Sequence, residues 1–134
     1  MATIRKIVDL DAPIAKVWDA LADFHNVDTR VAPGFVMTSE PEGDTRIITF
    51  SNGSVARETL VSMDADLHRV VYAIKEGRPT HHNASVDLIE LAPDRTRFVW
   101  TTDILPNELA SHIDVQKSLA IPLMKSKLEQ QYFR

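Results

Sequence analysis

The stretch that most constrains this chain is 106–134. Leu109, Ile113, Ile121, Met124, Leu128 and Tyr132 recur at three- or four-residue intervals or their multiples, the spacing of one helix face. Glu108, Ser111, His112, Lys117, Lys125, Lys127 and Gln130 fall mostly on the other side. The pattern predicts one long amphipathic helix from Pro106 to Arg134, with Asn107 able to cap its start. Pro122 sits inside the pattern; it donates no amide hydrogen bond and clashes with the carbonyl of Ser118. A kink is expected there, or two shorter helices abutting at Ala120–Ile121, which would set how much room Met124 and Leu128 leave inside. A helix apolar along one side needs a large partner surface.

The rest of the chain reads as that surface. Ile4 to Leu10 alternates as a strand, and Asp11-Ala12-Pro13 ends it. Pro13 suits the first turn of a helix, where its missing amide proton costs nothing. Ile14, Val17, Trp18 and Leu21 follow at helical spacing, with Trp18 expected in the core. Phe24 to Val27 extends this helix or makes a second short turn. After Ala32-Pro33-Gly34 the period becomes two. Strands are expected at Phe35–Ser39, Arg46–Phe50, Val55–Met63, Val70–Ile74, His81–Leu91 and Arg97–Leu105, separated by turn residues. Asn52-Gly53 is the strongest hairpin signal and suggests a type I′ turn. A strand, two short helices, a six-stranded meander and one long helix make an α+β fold: a curved antiparallel sheet of about seven strands wrapped around the C-terminal helix. One domain over residues 1–134 is expected.

Composition narrows the function. The net charge of −4 comes without a basic stripe, so no nucleic-acid partner is expected. The absence of cysteine removes thiolate nucleophiles, thiolate metal sites and disulfides. No apolar run reaches the length of a membrane span and no signal peptide is visible, so a cytoplasmic protein is the default expectation. There is no GxSxG, HExxH, phosphate loop or dinucleotide fingerprint; the four glycines are isolated turn residues. No metal and no cofactor are expected.

Ile7 to Leu21, the strand–helix segment IVDLDAPIAKVWDAL, resembles the start of the START-like (SRPBCC) superfamily, which includes the birch-pollen-allergen fold. Phe50-Ser-Asn-Gly53, Arg57-Glu58, His81 to Ser85 and Trp100 to Pro106 resemble bacterial members of the polyketide cyclase/dehydrase-like group. The resemblance covers essentially the whole chain. It implies a helix-grip fold whose sheet and long helix enclose an apolar cavity for hydrophobic molecules. Members include lipid carriers, hormone receptors, aromatic-polyketide cyclases and co-chaperone domains. Pro122 departs from an uninterrupted long helix.

Candidate site residues follow from strand parity. His81 and His82 are adjacent on a strand, so their side chains point to opposite faces and at most one lines a cavity. If Val86 and Leu88 face inward, so do His82 and Ala84. A histidine in such a pocket can donate a proton or bind a ligand carbonyl. On the Val55–Met63 strand, apolar periodicity favours Val55, Arg57, Thr59, Val61 and Met63 as the inward face; the alternative buries Glu58 with Leu60. A buried arginine would need an acid partner, and a buried glutamate could act as acid or base. The resemblance favours Glu58 as the pocket member. Glu58 and His82 are therefore the candidate catalytic pair, and Phe50, Tyr72, Asn83, Phe98, Trp100, Met124 and Leu128 the candidate ligand-binding residues, with Asn83 near the rim. Asp103 reads as a helix-entry or turn residue, and His25 and Arg30 as weaker candidates at the pocket mouth.

Three functions remain open. One is an enzyme that folds a small polyketide-like or aromatic substrate and promotes its cyclisation, dehydration or isomerisation by cofactor-free acid/base chemistry. Another is a non-catalytic carrier or sensor of a hydrophobic ligand. The third is a protein-interaction module, co-chaperone-like or a homodimer, with a collapsed cavity. Two ionisable groups converging in an open pocket would favour the first, an apolar pocket the second, and a filled interior the third.

Overall fold

The computed structural model describes the backbone of residues 1–132 and the side chains of residues 1–130. Seven strands, β1 (Ala2–Leu10), β2 (Val36–Glu42), β3 (Thr45–Phe50), β4 (Val55–Asp64), β5 (Arg69–Ile74), β6 (His81–Ala92) and β7 (Arg95–Leu105), form one antiparallel sheet. The order is β1-β7-β6-β5-β4-β3-β2: the meander is continuous and β1 closes onto its last strand. Helices α1 (Ile14–Ala22) and α2 (Val27–Arg30), joined by a 3₁₀ turn at Phe24–Asn26, lie between β1 and β2, and α3 (Ala110–Tyr132) follows β7.

Each element follows its sequence chemistry. α1 buries Val17, Ala20 and Leu21, while Trp18 stays half-exposed with its ring edge against His68. Arg30 donates to the carboxylates of Asp19 at 2.7 Å and Asp23 at 3.2 Å, fastening α2 to α1. Pro41 is tolerated because β2 is an edge strand, where a missing amide donor interrupts no ladder. The 50–54 hairpin differs from the type I′ expectation. Only Gly53 has positive φ (89°), the Gly53 amide donates to the Phe50 carbonyl, and Asn52 Oδ1 accepts the Ser54 amide. This is a three-residue loop with a left-handed glycine, which spares Asn52 a strained conformation.

The long helix is one element, not two abutting at Ala120–Ile121. A 3₁₀ turn at Asn107–Leu109 leads into 23 helical residues that run through Pro122. Pro122 and Ser118 both face solvent, so water can satisfy the carbonyl that the proline leaves without a donor. Asn107 makes no side-chain cap; its carbonyl accepts the Ala110 amide instead. Tyr132 and Arg134, at the end of the expected stretch, lie outside the described side chains. The helix surface is less cleanly divided than its sequence suggests. Val115, Leu119 and Leu123 are exposed, whereas Lys117 is only 3% exposed. Lys125, still partly exposed, bends toward β1, donating to the Asp9 carbonyl and to Glu129, both at 2.8 Å. Glu129 in turn accepts the Asp11 amide, so the C-terminal half of α3 is pinned to the turn between β1 and α1.

Packing is uneven along α3. Beyond Lys117, Ala120, Met124 and Leu128 fill the main core with Leu10, Ile48, Val70, Val86 and Phe98. At its start Leu109 packs with Ile4 and Ile104 in a second, small cluster. Between these two packed ends the sheet and helix stand apart.

Candidate functional site

The gap is a cavity of about 470 Å³, roomy enough for a small organic molecule. Its sheet wall carries Phe50, Glu58, Tyr72, Ile74, His82, Trp100, Thr102 and Ile104; its helix wall carries Leu109, His112, Ile113, Gln116 and Lys117. Phe35 contributes from the segment before β2, while the exposed residues Asn52, Val55, Glu76 and Arg78 mark the open side. A narrower recess of about 60 Å³ shares Phe35, Phe50, Glu58, Tyr72 and Trp100 and runs inward to Arg46, Phe98 and Met124.

One polar group of the wall, Glu58, is held in a buried ion pair. Glu58 and Arg46 are direct cross-strand neighbours on β4 and β3, both 7% exposed, and Arg46 Nε donates to Glu58 Oε1 at 2.8 Å. Arg46 Nη1 also donates to the Phe24 carbonyl at 3.0 Å, and its guanidinium lies 3.9 Å from the Phe24 ring centre and 5.0 Å from that of Tyr72. A buried ion pair holds only when its remaining donors and acceptors are satisfied, and this setting provides partners on several sides. Beside it the Trp100 indole donates to the Tyr72 hydroxyl at 3.1 Å. Burial pushes the Tyr72 hydroxyl well above its ordinary pKa, and the Glu58 carboxylate adds to the shift, so Tyr72 stays protonated.

Two other polar groups of the wall, Lys117 and Thr102, keep hydrogen-bonding capacity to spare. Lys117 Nζ lies 4.4 Å from the Trp100 ring centre and makes one long hydrogen bond, 3.4 Å, to the Trp100 carbonyl. Burial, helped by the Lys6 ammonium and opposed by Asp103, brings its pKa down to about 7. Thr102, 1% exposed, has no partner for its hydroxyl among the described residues. His82 lies diagonal to Thr102 across the β6–β7 pair, since His82 opposes Ile104 and Ala84 opposes Thr102. Burial first, then Lys117 and His81, hold its pKa down at about 4, so the imidazole is neutral near pH 7.

Several expected site residues reach this cavity and others do not. Glu58, His82, Phe50, Tyr72 and Trp100 line it. Phe98 and Met124 line only the inner recess, and Leu128 packs in the core. Asn83 does not join them: strand alternation turns it away from the face carrying His82 and Ala84, opposite Ala73 and Asp103. His81 is exposed. The apolar-periodicity reading of β4 fails because a bulge interrupts its pairing with β5 between Leu60 and Ser62. Upstream of the bulge Glu58 is inward; Val55 and Val61 are 62% and 58% exposed; Met63, beyond it, packs on the core. Arg57 instead pairs with Glu42 at 2.6 Å. Asp103 is a strand residue accepting the Thr3 hydroxyl at 2.6 Å, not a helix-entry residue. Neither His25 nor Arg30 lines the cavity.

Sequence reasoning missed Arg46 and Lys117. Arg46 shares strand parity with Ile48 and Phe50, and Lys117 stands four residues from both Ile113 and Ile121. In each case the position belonged to the inward face, and the charge argued against placing it there.

A long C-terminal helix laid across a seven-stranded antiparallel sheet, with a cavity between them, is the START-like helix-grip architecture. The chain belongs to the family described as "polyketide cyclase / dehydrase and lipid transport", whose model matches residues 1–131. No curated protein matches it. Among solved structures, a Thermobifida fusca protein is 25% identical, with a TM-score of 0.79, covering 98% of this chain and 95% of that one. Norcoclaurine synthase from Thalictrum flavum, in complex with dopamine and hydroxybenzaldehyde, is 14% identical, with a TM-score of 0.75 and coverage of 96% and 84%. A START superfamily protein from Mycobacterium smegmatis is 13% identical, with a TM-score of 0.71, covering 98% of this chain and 97% of that one.

Proposed function

We propose that this protein binds one small, largely apolar carbonyl compound, aromatic or polyketide-like, between the sheet and the first half of α3. The observation that carries the reading is the open cavity with aromatic walls, whose buried polar groups Glu58, Tyr72, Thr102 and Lys117 stand on strands or on α3. Norcoclaurine synthase, a protein of the same fold, is described with an aromatic aldehyde bound. An open interior disfavours the collapsed-cavity interaction module. A homodimer is a separate proposal, favoured by the exposed stripe Val115, Leu119 and Leu123, spaced four residues apart on α3; sedimentation showing only monomer would remove it.

The catalytic version of this reading uses proton transfer without a cofactor. His82 is neutral near pH 7 and can accept a proton from the carbon next to a ligand carbonyl. Glu58 lies in the same cross-strand row, two strands away on β4, so the backbones stand roughly 10 Å apart. They cannot share a proton directly and would act on opposite ends of a ligand, with Glu58 held by Arg46.

A test uses 2-acetylnaphthalene as an aromatic ketone probe. Binding by fluorescence titration should weaken about tenfold or more in Trp100→Ala, because a large aromatic wall is removed. Deuterium exchange of the acetyl methyl, followed by NMR, should be faster with the wild type than with His82→Ala. Binding without accelerated exchange would leave the carrier or sensor in place of the enzyme. No binding of this or other apolar carbonyl probes would sink the cavity reading.

A further inference from the structure

We propose that the end of the cavity formed by Lys117 and Thr102 is an anion socket, so that the natural ligand is an amphipathic carboxylate rather than a neutral hydrocarbon-like molecule. The inference rests on the cavity reading above and adds the ligand's charge. Two polar side chains more than nine-tenths buried line the cavity here with hydrogen-bonding capacity to spare. Thr102 Oγ1 has no partner among the described residues, and Lys117 Nζ has only the 3.4 Å contact with the Trp100 carbonyl. An ammonium carries three donors and a hydroxyl one, so most of this capacity is open to a ligand oxygen.

The charges around Lys117 leave it without a carboxylate of its own. Lys6, which opposes Trp100 on β1, is a second cation, and it is paired with Asp114 of α3. Asp103, on the opposite strand face, accepts from Thr3. His82 is neutral near pH 7, and Glu58 is matched by Arg46. The buried wall therefore holds one uncompensated cation once Lys117 is protonated. A buried cation is stabilised far more by a desolvated anion than by a carbonyl dipole. The apolar body of such a ligand would lie along Trp100, Tyr72 and Ile113, with its carboxylate on Lys117 and Thr102.

The test compares two probes of similar shape, 1-naphthaleneacetic acid and 2-(1-naphthyl)ethanol, by isothermal titration near pH 7. The wild type should bind the acid about ten- to a hundredfold more tightly than the alcohol, the range of a charge-assisted hydrogen bond. Lys117→Met should erase that preference, read as the ratio of acid to alcohol affinity within the variant, and Thr102→Val should reduce the ratio by a smaller factor. Thr102→Val is close to isosteric and guards against a folding defect in the lysine variant. Equal affinity for acid and alcohol in the wild type would overturn the socket while leaving the cavity reading intact, as would a preference that survives Lys117→Met. Binding of neither probe would sink the cavity reading and the socket with it.

Discussion

Replacing Lys117 with methionine should make the protein more stable at neutral pH, and should do so in a pH-dependent way. The side chain is 3% exposed, and burial lowers its pKa from 10.5 to about 7. At about 1.4 kcal/mol per pH unit, this corresponds to a burial cost near 4–5 kcal/mol for the charged form. Relaxation, water entering the open cavity and the Trp100 ring face at 4.4 Å all reduce it, so about 2–3 kcal/mol is expected in practice. The sign follows from proton binding. Between the folded and unfolded pKa values the unfolded chain holds the extra proton, so wild-type stability rises with pH across that window and falls as pH drops towards 7. The slope should approach at most about 1.4 kcal/mol per pH unit. Methionine keeps the apolar stem and removes the titration. Urea unfolding of both proteins at several pH values between about 7.5 and 9.5 reads the effect directly. The variant should lead most at the lower pH, and the two curves should converge as pH rises. Parallel curves, or a variant less stable throughout, would refute the burial of an unpaired ammonium.

Two further outcomes bear on packing. Arg46→Leu leaves the Glu58 carboxylate without its partner in a buried setting and should destabilise by roughly 3–5 kcal/mol in urea unfolding; a loss below about 1 kcal/mol would mean that the pair is solvated and that Glu58 is free for chemistry. Pro122→Ala restores an amide donor to the exposed Ser118 carbonyl and should stabilise by about 1–3 kcal/mol, raising the thermal midpoint; a lower midpoint would give the proline a packing role that its exposure does not suggest.

The order of periods along the chain was enough for the architecture. Period two in six successive stretches, bounded by turn residues, can hardly fold otherwise than as a meander, and one long helical period after it needs that sheet as its partner. Parity within a regular strand was legible too: His82, Ala84 and Val86 share an inward face because nothing interrupts β6 between them. What the sequence could not carry was any feature set by two distant segments at once. The bulge in β4 is a mismatch between two strands, and it reverses the apolar pattern that a single strand displays. Arg46 is acceptable inside only because Glu58 comes opposite it across the hairpin. Lys117 stands on the inward stripe of α3 by spacing alone, and its charge counted against burial because charge burial is costly in a filled core. The tertiary structure decided that this stretch of core is not filled. The C-terminal half of α3 is held down by Lys125 and Glu129, its start by the Leu109 cluster, and the space between them is where a buried ammonium has room and a reason to wait for an anion.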